Sequence, residues 1–394
     1  MRKIDPQETS FSAERLTKIN STMQRYVDEK KLAGIVTLVA QQGKVVHAEK
    51  FGMQNMEANI PMAFDTLFRI YSMTKPITSA ALMMLHENAR FHLSDPVSNY
   101  FPEFANLKVY AADGTLEEPR QQMSIRHLLS HTAGLSYGWH PTSPVDKLYR
   151  EAKLLDWSVS PRELVQKMGE LPLRFHPGAC WHYSVATDLA GALVEVIADM
   201  PFADFLQEKI FGPLGMVDTG FYVSGAQRAR FASNYGPHEE NVIKVIDAAE
   251  TSAYCTPNAR QSGGGGLVGT TSDYLQFAQL MLNGGELDGV RLLGRKTVEL
   301  MTQNHLEPAL MPIGIEEPWP GVGFGLGFSV VTDVAQTQMP GSVGNHGWGG
   351  AANTRFWIDP LEKLVGIIML QYMPSGTYPV ADDFESLVYQ ALVN

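Results

Sequence analysis

Between Ser12 and Lys30, apolar residues fall at Leu16, Ile19, Met23, Tyr26 and Val27, the three- and four-residue steps of an amphipathic helix. The pattern then changes. Ile35 to Val39 and Lys44 to His47 are short, largely β-branched runs on either side of Gln41-Gln42-Gly43, so Gly34 to Gly52 is expected to form a hairpin. Ser72 to Asn88 returns to helical spacing, with Ile77, Ala80, Ala81, Met84 and Leu85 on one stripe. From about Asp95 to Arg230 the helical pattern dominates, punctuated by Pro and Gly. Strands reappear at Thr354 to Ile358 and Leu364 to Leu370, around an Asp359-Pro360 turn, and an amphipathic helix is expected over Ala381 to Leu392. This order predicts a discontinuous α/β domain of residues 1–95 and 235–394 with a mainly helical domain, 96–234, inserted between its halves. No internal repeat is visible.

Composition narrows the partners and says little about chemistry. A chain of 394 residues buries a core without staples. Lys and Arg number 31 against 42 Asp and Glu, a net charge of −11 with no basic cluster, so nucleic acid is not expected as a partner. Cys180 and Cys255 cannot make a disulfide framework; one bridge between them is possible, but buried reduced thiols are the favoured reading. Met1 to Glu8 carries early positive charge but no apolar stretch follows, unlike a secretory signal. The longest apolar run, Leu364 to Leu370, falls short of the roughly 18 residues a membrane span needs. A cytoplasmic protein without a membrane partner is the resulting expectation.

Candidate chemistry begins at Ser72-Met73-Thr74-Lys75. Ser72 and Lys75 share a face of the predicted helix. Pro76 fits only a first turn, and its ring excludes a regular helical carbonyl four residues back, so Ser72 is expected at or near the N-cap. There its backbone N–H is suited to an oxyanion, and the positive helix end disfavours a charged Lys75. Read alone, four such residues fit a capping serine with a solvated lysine equally well. The uncharged run from Ile77 to Leu85 changes this, because a lysine at its mouth needs a partner or a function.

Two further segments carry candidates. Phe175-His176-Pro177-Gly178 precedes Tyr183-Ser184 and a helix expected over Ala186 to Ala198, which puts Tyr183 at a second helix mouth. There it is either an ordinary half-buried tyrosine or a group that shares a proton with Lys75 or acts as the base itself. In His346-Gly347-Trp348-Gly349-Gly350-Ala351 the glycines admit close approach of a substrate, and the Ala351 N–H is a second oxyanion donor opposite Ser72; a Gly-rich edge turn packed by Trp348 is the simpler reading.

Together these elements resemble the serine β-lactamase and penicillin-recognising enzymes, which carry S-x-x-K with further motifs downstream. The resemblance extends over nearly the whole chain, through Leu128 to Leu135, Phe211 to Met216, Gly263 to Met301 and Gly323 to Phe328. It implies a serine β-lactamase-like fold, α+β, with an antiparallel sheet flanked by helices, an inserted helical domain and the active site at their junction. Two departures matter. The class C enzymes have Y-x-N where this chain has Tyr183-Ser184-Val185, and Trp348-Gly349-Gly350 stands in place of Lys-Thr-Gly. Both remove polar partners of a β-lactam substrate, and the pattern is similar to the family VIII carboxylesterases. That resemblance implies Ser72 as nucleophile, Lys75 and Tyr183 as the base pair, and Trp348, Gly349, Gly350 and Val185 beside a neutral, short- to medium-chain ester. No cofactor or metal is implied, and β-lactams are expected as weak substrates at most. A β-lactamase, a D-amino-acid peptidase, an acyltransferase and a non-catalytic relative are the alternatives.

Other patterns compete less well. Gly134-Leu135-Ser136-Tyr137-Gly138 matches the G-x-S-x-G nucleophile elbow, but that motif follows a strand, and Ser124 to His131 has helical spacing. His127 and His131 are four apart, as zinc ligands on a helix are, yet Leu128 stands where the glutamate of H-E-x-x-H would be. His176 and His182 are weaker still. Gly263 to Gly266 lacks the Lys-Ser/Thr of a phosphate loop and reads as a tight turn or a close backbone approach.

Overall fold

The computed structural model describes residues 9–238, 242–257 and 261–394; Met1 to Glu8, read above for a signal, lies outside them. An eight-stranded sheet organises these residues. Its strands in chain order are β1 (Gly34–Gln41), β2 (Lys44–Asn55), β3 (Ile60–Pro61), β4 (Val322–Phe324), β5 (Ser329–Val331), β6 (His346–Gly349), β7 (Arg355–Asp359) and β8 (Leu364–Leu370), and their spatial order is β4-β5-β6-β7-β8-β1-β2-β3. Neighbouring strands pair antiparallel. The main helices are α1 (Ala13–Asp28), α2 (Thr74–Glu87), α3 (Ile125–Leu129), α4 (Ala186–Ala198), α5 (Thr271–Leu282) and α6 (Val380–Tyr389).

Residue alternation explains how the sheet joins two layers. In β8, Leu364, Ile368 and Leu370 pack with Ile19 and Met23 of α1 and Phe384 of α6. The intervening Val365, Ile367 and Met369 face a second core with Ile77 of α2 and Phe277 of α5. A strand buried on both faces reads as an unbroken apolar run, which is why Leu364 to Leu370 looked continuous. The second core does not stop at the sheet's helical layer. It continues into Leu128 of α3 and Leu193 of α4.

Expected elements and observed ones differ in three places. α6 stops at Tyr389, short of Leu392, because Leu392 bridges Phe11 as an extended residue. Within the stretch read as helical, Val109–Tyr110 and Leu116–Glu117 pair as a small hairpin around Asp113-Gly114, a dipeptide suited to tight turns. His346 to Gly349 is not an edge turn but strand β6, inside the sheet between β5 and β7. A Cβ on Gly347 would lie 2.2 Å from the Phe356 carbonyl oxygen, so that glycine serves sheet pairing.

Candidate active site

Three element ends converge: the start of α2, the start of α4 and strand β6. The first is shaped by Pro76, the third residue of α2. A one-turn 3-10 helix, Tyr71–Met73, precedes α2, and Met73 rather than Ser72 is the N-cap. The tighter turn moves the Ser72 carbonyl off the regular helical path that the Pro76 ring would meet. Tyr71 pays for it with φ of 43°, a left-handed conformation unusual for a side chain of this size. Ser72 therefore projects from a strained turn ahead of the helix.

Lys75 is completely buried. Its Nζ donates to Ser72 Oγ at 3.1 Å and to the Gly264 carbonyl oxygen at 2.6 Å. Tyr183, two residues before the Val185 N-cap of α4, donates from Oη to Ser72 Oγ at 2.7 Å. Lys75 Nζ lies 4.5 Å from the Tyr183 ring centroid. Burial pushes the Tyr183 phenol well above its ordinary range, while its bonds with Ser72 and Trp348 oppose that rise. The third element closes the set. Trp348 of β6 donates from Nε1 to Tyr183 Oη at 3.2 Å.

The turn after β6 packs against the serine turn. A Cβ on Gly350 would lie 2.5 Å from the Ile70 carbonyl oxygen, two residues ahead of Ser72, and 2.2 Å from Thr354 Oγ1. Gly349 is freer, its nearest neighbour being the Thr354 carbonyl oxygen at 3.3 Å. Ala351 follows directly, half-buried. Residues 72, 75, 183, 348, 349, 350 and 351 are thus gathered at one place.

With that geometry in view, comparison with known proteins is decisive for ancestry. Residues 19–390 match the Beta-lactamase family. The chain belongs to that family. It is 30% identical over 377 residues to Esterase EstB of Burkholderia gladioli, covering 90% of each chain. Among solved structures, it is similar to EstCE1, a hydrolase with promiscuous acyltransferase activity, at a TM-score of 0.83 and 27% identity, covering 95% of this chain and 99% of that one. Unliganded simvastatin synthase (LovD) of Aspergillus terreus superposes with a TM-score of 0.79 at 25% identity, covering 97% and 98%. The Beta-lactamase family fold accounts for the antiparallel sheet flanked by helices.

Within this Beta-lactamase family site, Val185 departs from expectation. Its side chain is fully buried at the N-cap of α4, so it presents no surface to a substrate. The position where an asparagine side chain was missed is core. Ser136 of the G-x-S-x-G match is also buried, and its Oγ donates to Asp146 Oδ1 at 2.5 Å. His127 Nδ1 accepts from the Ser124 N–H at 3.1 Å as part of a helix cap. His131 packs its ring 4.9 Å from that of Tyr183, and burial pulls its basicity well down. No group of three or more His, Cys, Asp or Glu suited to a metal ion occurs among the described residues. No helix among them is long and apolar enough to cross a membrane.

One site residue escaped the sequence reading. Gly263 to Gly266 is the close backbone approach expected, since a Cβ on Gly263 would lie 2.6 Å from the Thr187 carbonyl oxygen. Yet the same loop supplies the Gly264 carbonyl to Lys75. Its glycine content was the available signal, and nothing in it pointed to an acceptor. A wider concavity of about 650 Å³, lined by His92, Gln121, Arg126 and His127 among others, shares no residue with the serine site.

Proposed function

We propose that this protein is a carboxylesterase acting through an acyl-serine intermediate, with Ser72 as nucleophile and Lys75 and Tyr183 as its proton-handling pair. The observation that carries the reading is the meeting of two donors from separate elements, Lys75 Nζ and Tyr183 Oη, on one serine oxygen. Similarity to Esterase EstB and EstCE1 supports ester chemistry on this fold, and W-G-G in place of Lys-Thr-Gly keeps the resemblance to the family VIII carboxylesterases.

We assign the Ser72 proton to Lys75 Nζ in its amine form, 3.1 Å from Ser72 Oγ, with the Tyr183 phenol kept protonated by burial. Ser72 Oγ adds to the ester carbonyl carbon, and the N–H groups of Ser72 and Ala351 hold the resulting oxyanion. The carbon–oxygen bond to the alcohol then breaks. Tyr183 gives its proton to the departing alkoxide and regains one from Lys75. Water repeats the sequence on the acyl-Ser72 ester and releases the acid. Trp348 keeps the phenol aimed through its N–H. The substrates are neutral short- to medium-chain esters in a soluble, cytoplasmic setting, with β-lactams as poor alternatives.

An acyl-serine also reacts with alcohols, and the similarity to simvastatin synthase and to EstCE1 favours acyl transfer as a second activity. The test is stopped-flow hydrolysis of p-nitrophenyl butyrate, with a burst equal to the enzyme concentration expected. Labelling by a fluorophosphonate at Ser72 accompanies it. A kcat/KM for nitrocefin far above that for the ester overturns the reading.

A further inference from the structure

Flat rings crowd the mouth of the serine site. Trp139 is 54% exposed and stacks on Tyr137 with centroids 4.5 Å apart and planes 10° from parallel. It also reaches the Tyr183 ring at 5.8 Å. From the sheet side, Trp319 is 37% exposed and lies 5.7 Å from the Trp348 ring. Tyr183 and Trp348, at 5.4 Å, join the two halves. One exposed tryptophan therefore adjoins each ring of the pair, of which Tyr183 touches the serine.

Size and charge restrict what enters. The cavity that reaches Tyr183 between the Tyr137–His140 turn and Gly314–Ile315 is about 20 Å³, room for about one water. A bulky saturated group must push these walls much farther apart than a flat ring, whose faces need contacts at only about 3.5–4 Å. No Asp, Glu, Lys or Arg lines this cavity. An organic cation would meet rings there but no carboxylate to pair with it.

We infer that the ester substrate carries a planar, uncharged aromatic group that stacks on the run of rings from Trp139 through Tyr183 and Trp348 to Trp319. This rests on the ester reading and names the class of substrate for it. The ring belongs either to the acyl part or to the alcohol, and matched saturated esters tell them apart. One arm compares ethyl phenylacetate with ethyl cyclohexylacetate, the other benzyl acetate with cyclohexylmethyl acetate.

In at least one arm kcat/KM is expected to favour the aromatic ester by about tenfold, the scale of ordinary aromatic pairs. Trp139→Ala and Trp319→Ala are expected to bring that ratio near one, and Trp139→Phe and Trp319→Phe to keep most of it. Ratios near one in both arms for the unaltered protein overturn the inference. So does a ratio that survives both alanine variants, or a preference for acetylthiocholine. If no ester is hydrolysed, butyl acetate included, the ester reading itself falls. The slot is then read by tryptophan fluorescence, where benzyl alcohol must quench at lower concentration than cyclohexylmethanol for it to stand.

Discussion

Ser72 and Ser136 both sit in sequence patterns associated with nucleophilic serines, and the fold treats them in opposite ways. Ser72 Oγ receives hydrogen bonds from Lys75 and Tyr183, groups that exchange protons. Ser136 Oγ gives its proton to Asp146, a completely buried carboxylate also held by Arg174 at 2.6 Å, and accepts the Gly138 N–H at 3.0 Å. The first arrangement sets two titratable groups against one serine oxygen. The second commits the serine proton to a structural ion pair. A serine becomes a nucleophile through the proton traffic around its oxygen, and short motifs record only part of that.

The sharpest way to break this contrast is to remove each hydroxyl. Ser72→Ala is expected to lower ester kcat by about 10⁴-fold or more with the melting temperature unchanged. Ser136→Ala is expected to keep kcat within a few-fold and to lose roughly 1–3 kcal/mol of stability, because Asp146 forfeits a buried donor. Steady-state kinetics beside thermal unfolding reads both, and exchanged outcomes sink the assignment. Next come the partners. Tyr183→Phe and Lys75→Met each leave the core filled, and each should cost roughly 10²- to 10⁴-fold in kcat. A loss confined to KM would mark them as substrate contacts instead.

Much of this contrast was legible in the chain. The S-x-x-K spacing, Pro76 and the uncharged run behind it pointed to a lysine that solvent does not claim, and Lys75 is buried. Helical spacing before Gly134 argued against an elbow at Ser136, and α3 is there. What stayed hidden lies between residues far apart along the chain. The Trp348 bond to Tyr183, the Gly264 carbonyl on Lys75 and the burial of Val185 depend on how β6, a glycine loop and α4 pack. Periodicity reports which face of an element is buried, not which partner waits there. The 3-10 turn at Tyr71–Met73 is a smaller example, since Pro76 implied a disturbance at Ser72 but not its form.

Two smaller effects sharpen the comparison further. His182, beside the Ser136 network, and His346, in the sheet next to Trp348, are both held neutral by burial, with pKa values lowered to about 4. The unfolded chain protonates them near the ordinary value of about 6.5, so between about pH 6.5 and 4 it binds more protons than the fold. Stability is therefore expected to fall as pH drops through that window, and His182→Asn or His346→Asn should each flatten the slope of unfolding free energy against pH. A slope unchanged in both variants counts against the burial argument. The mildest contrast is between adjacent glycines. Gly350→Ala presses on the Ile70 carbonyl oxygen and should reduce kcat by about tenfold, whereas Gly349→Ala, with 3.3 Å to its nearest atom, should sit within a few-fold of the unaltered enzyme.

The Gly264 carbonyl gives the site an unusual kind of robustness. Of the contacts to Lys75, this is one that no codon change deletes, because the acceptor belongs to the backbone whatever residue is encoded there. Substitution at 264 is nonetheless hazardous, since a Cβ would lie 2.3 Å from Asp188 Oδ2. Alanine scanning would score the position as a packing defect and overlook the acceptor altogether. Replacing the amide that follows by an ester, through chemical synthesis or an α-hydroxy acid at 265, weakens that oxygen without adding an atom. That edit also removes the Gly265 N–H bond to the Ser262 carbonyl at 3.3 Å, yet it weakens the lysine's anchor with every side chain as encoded.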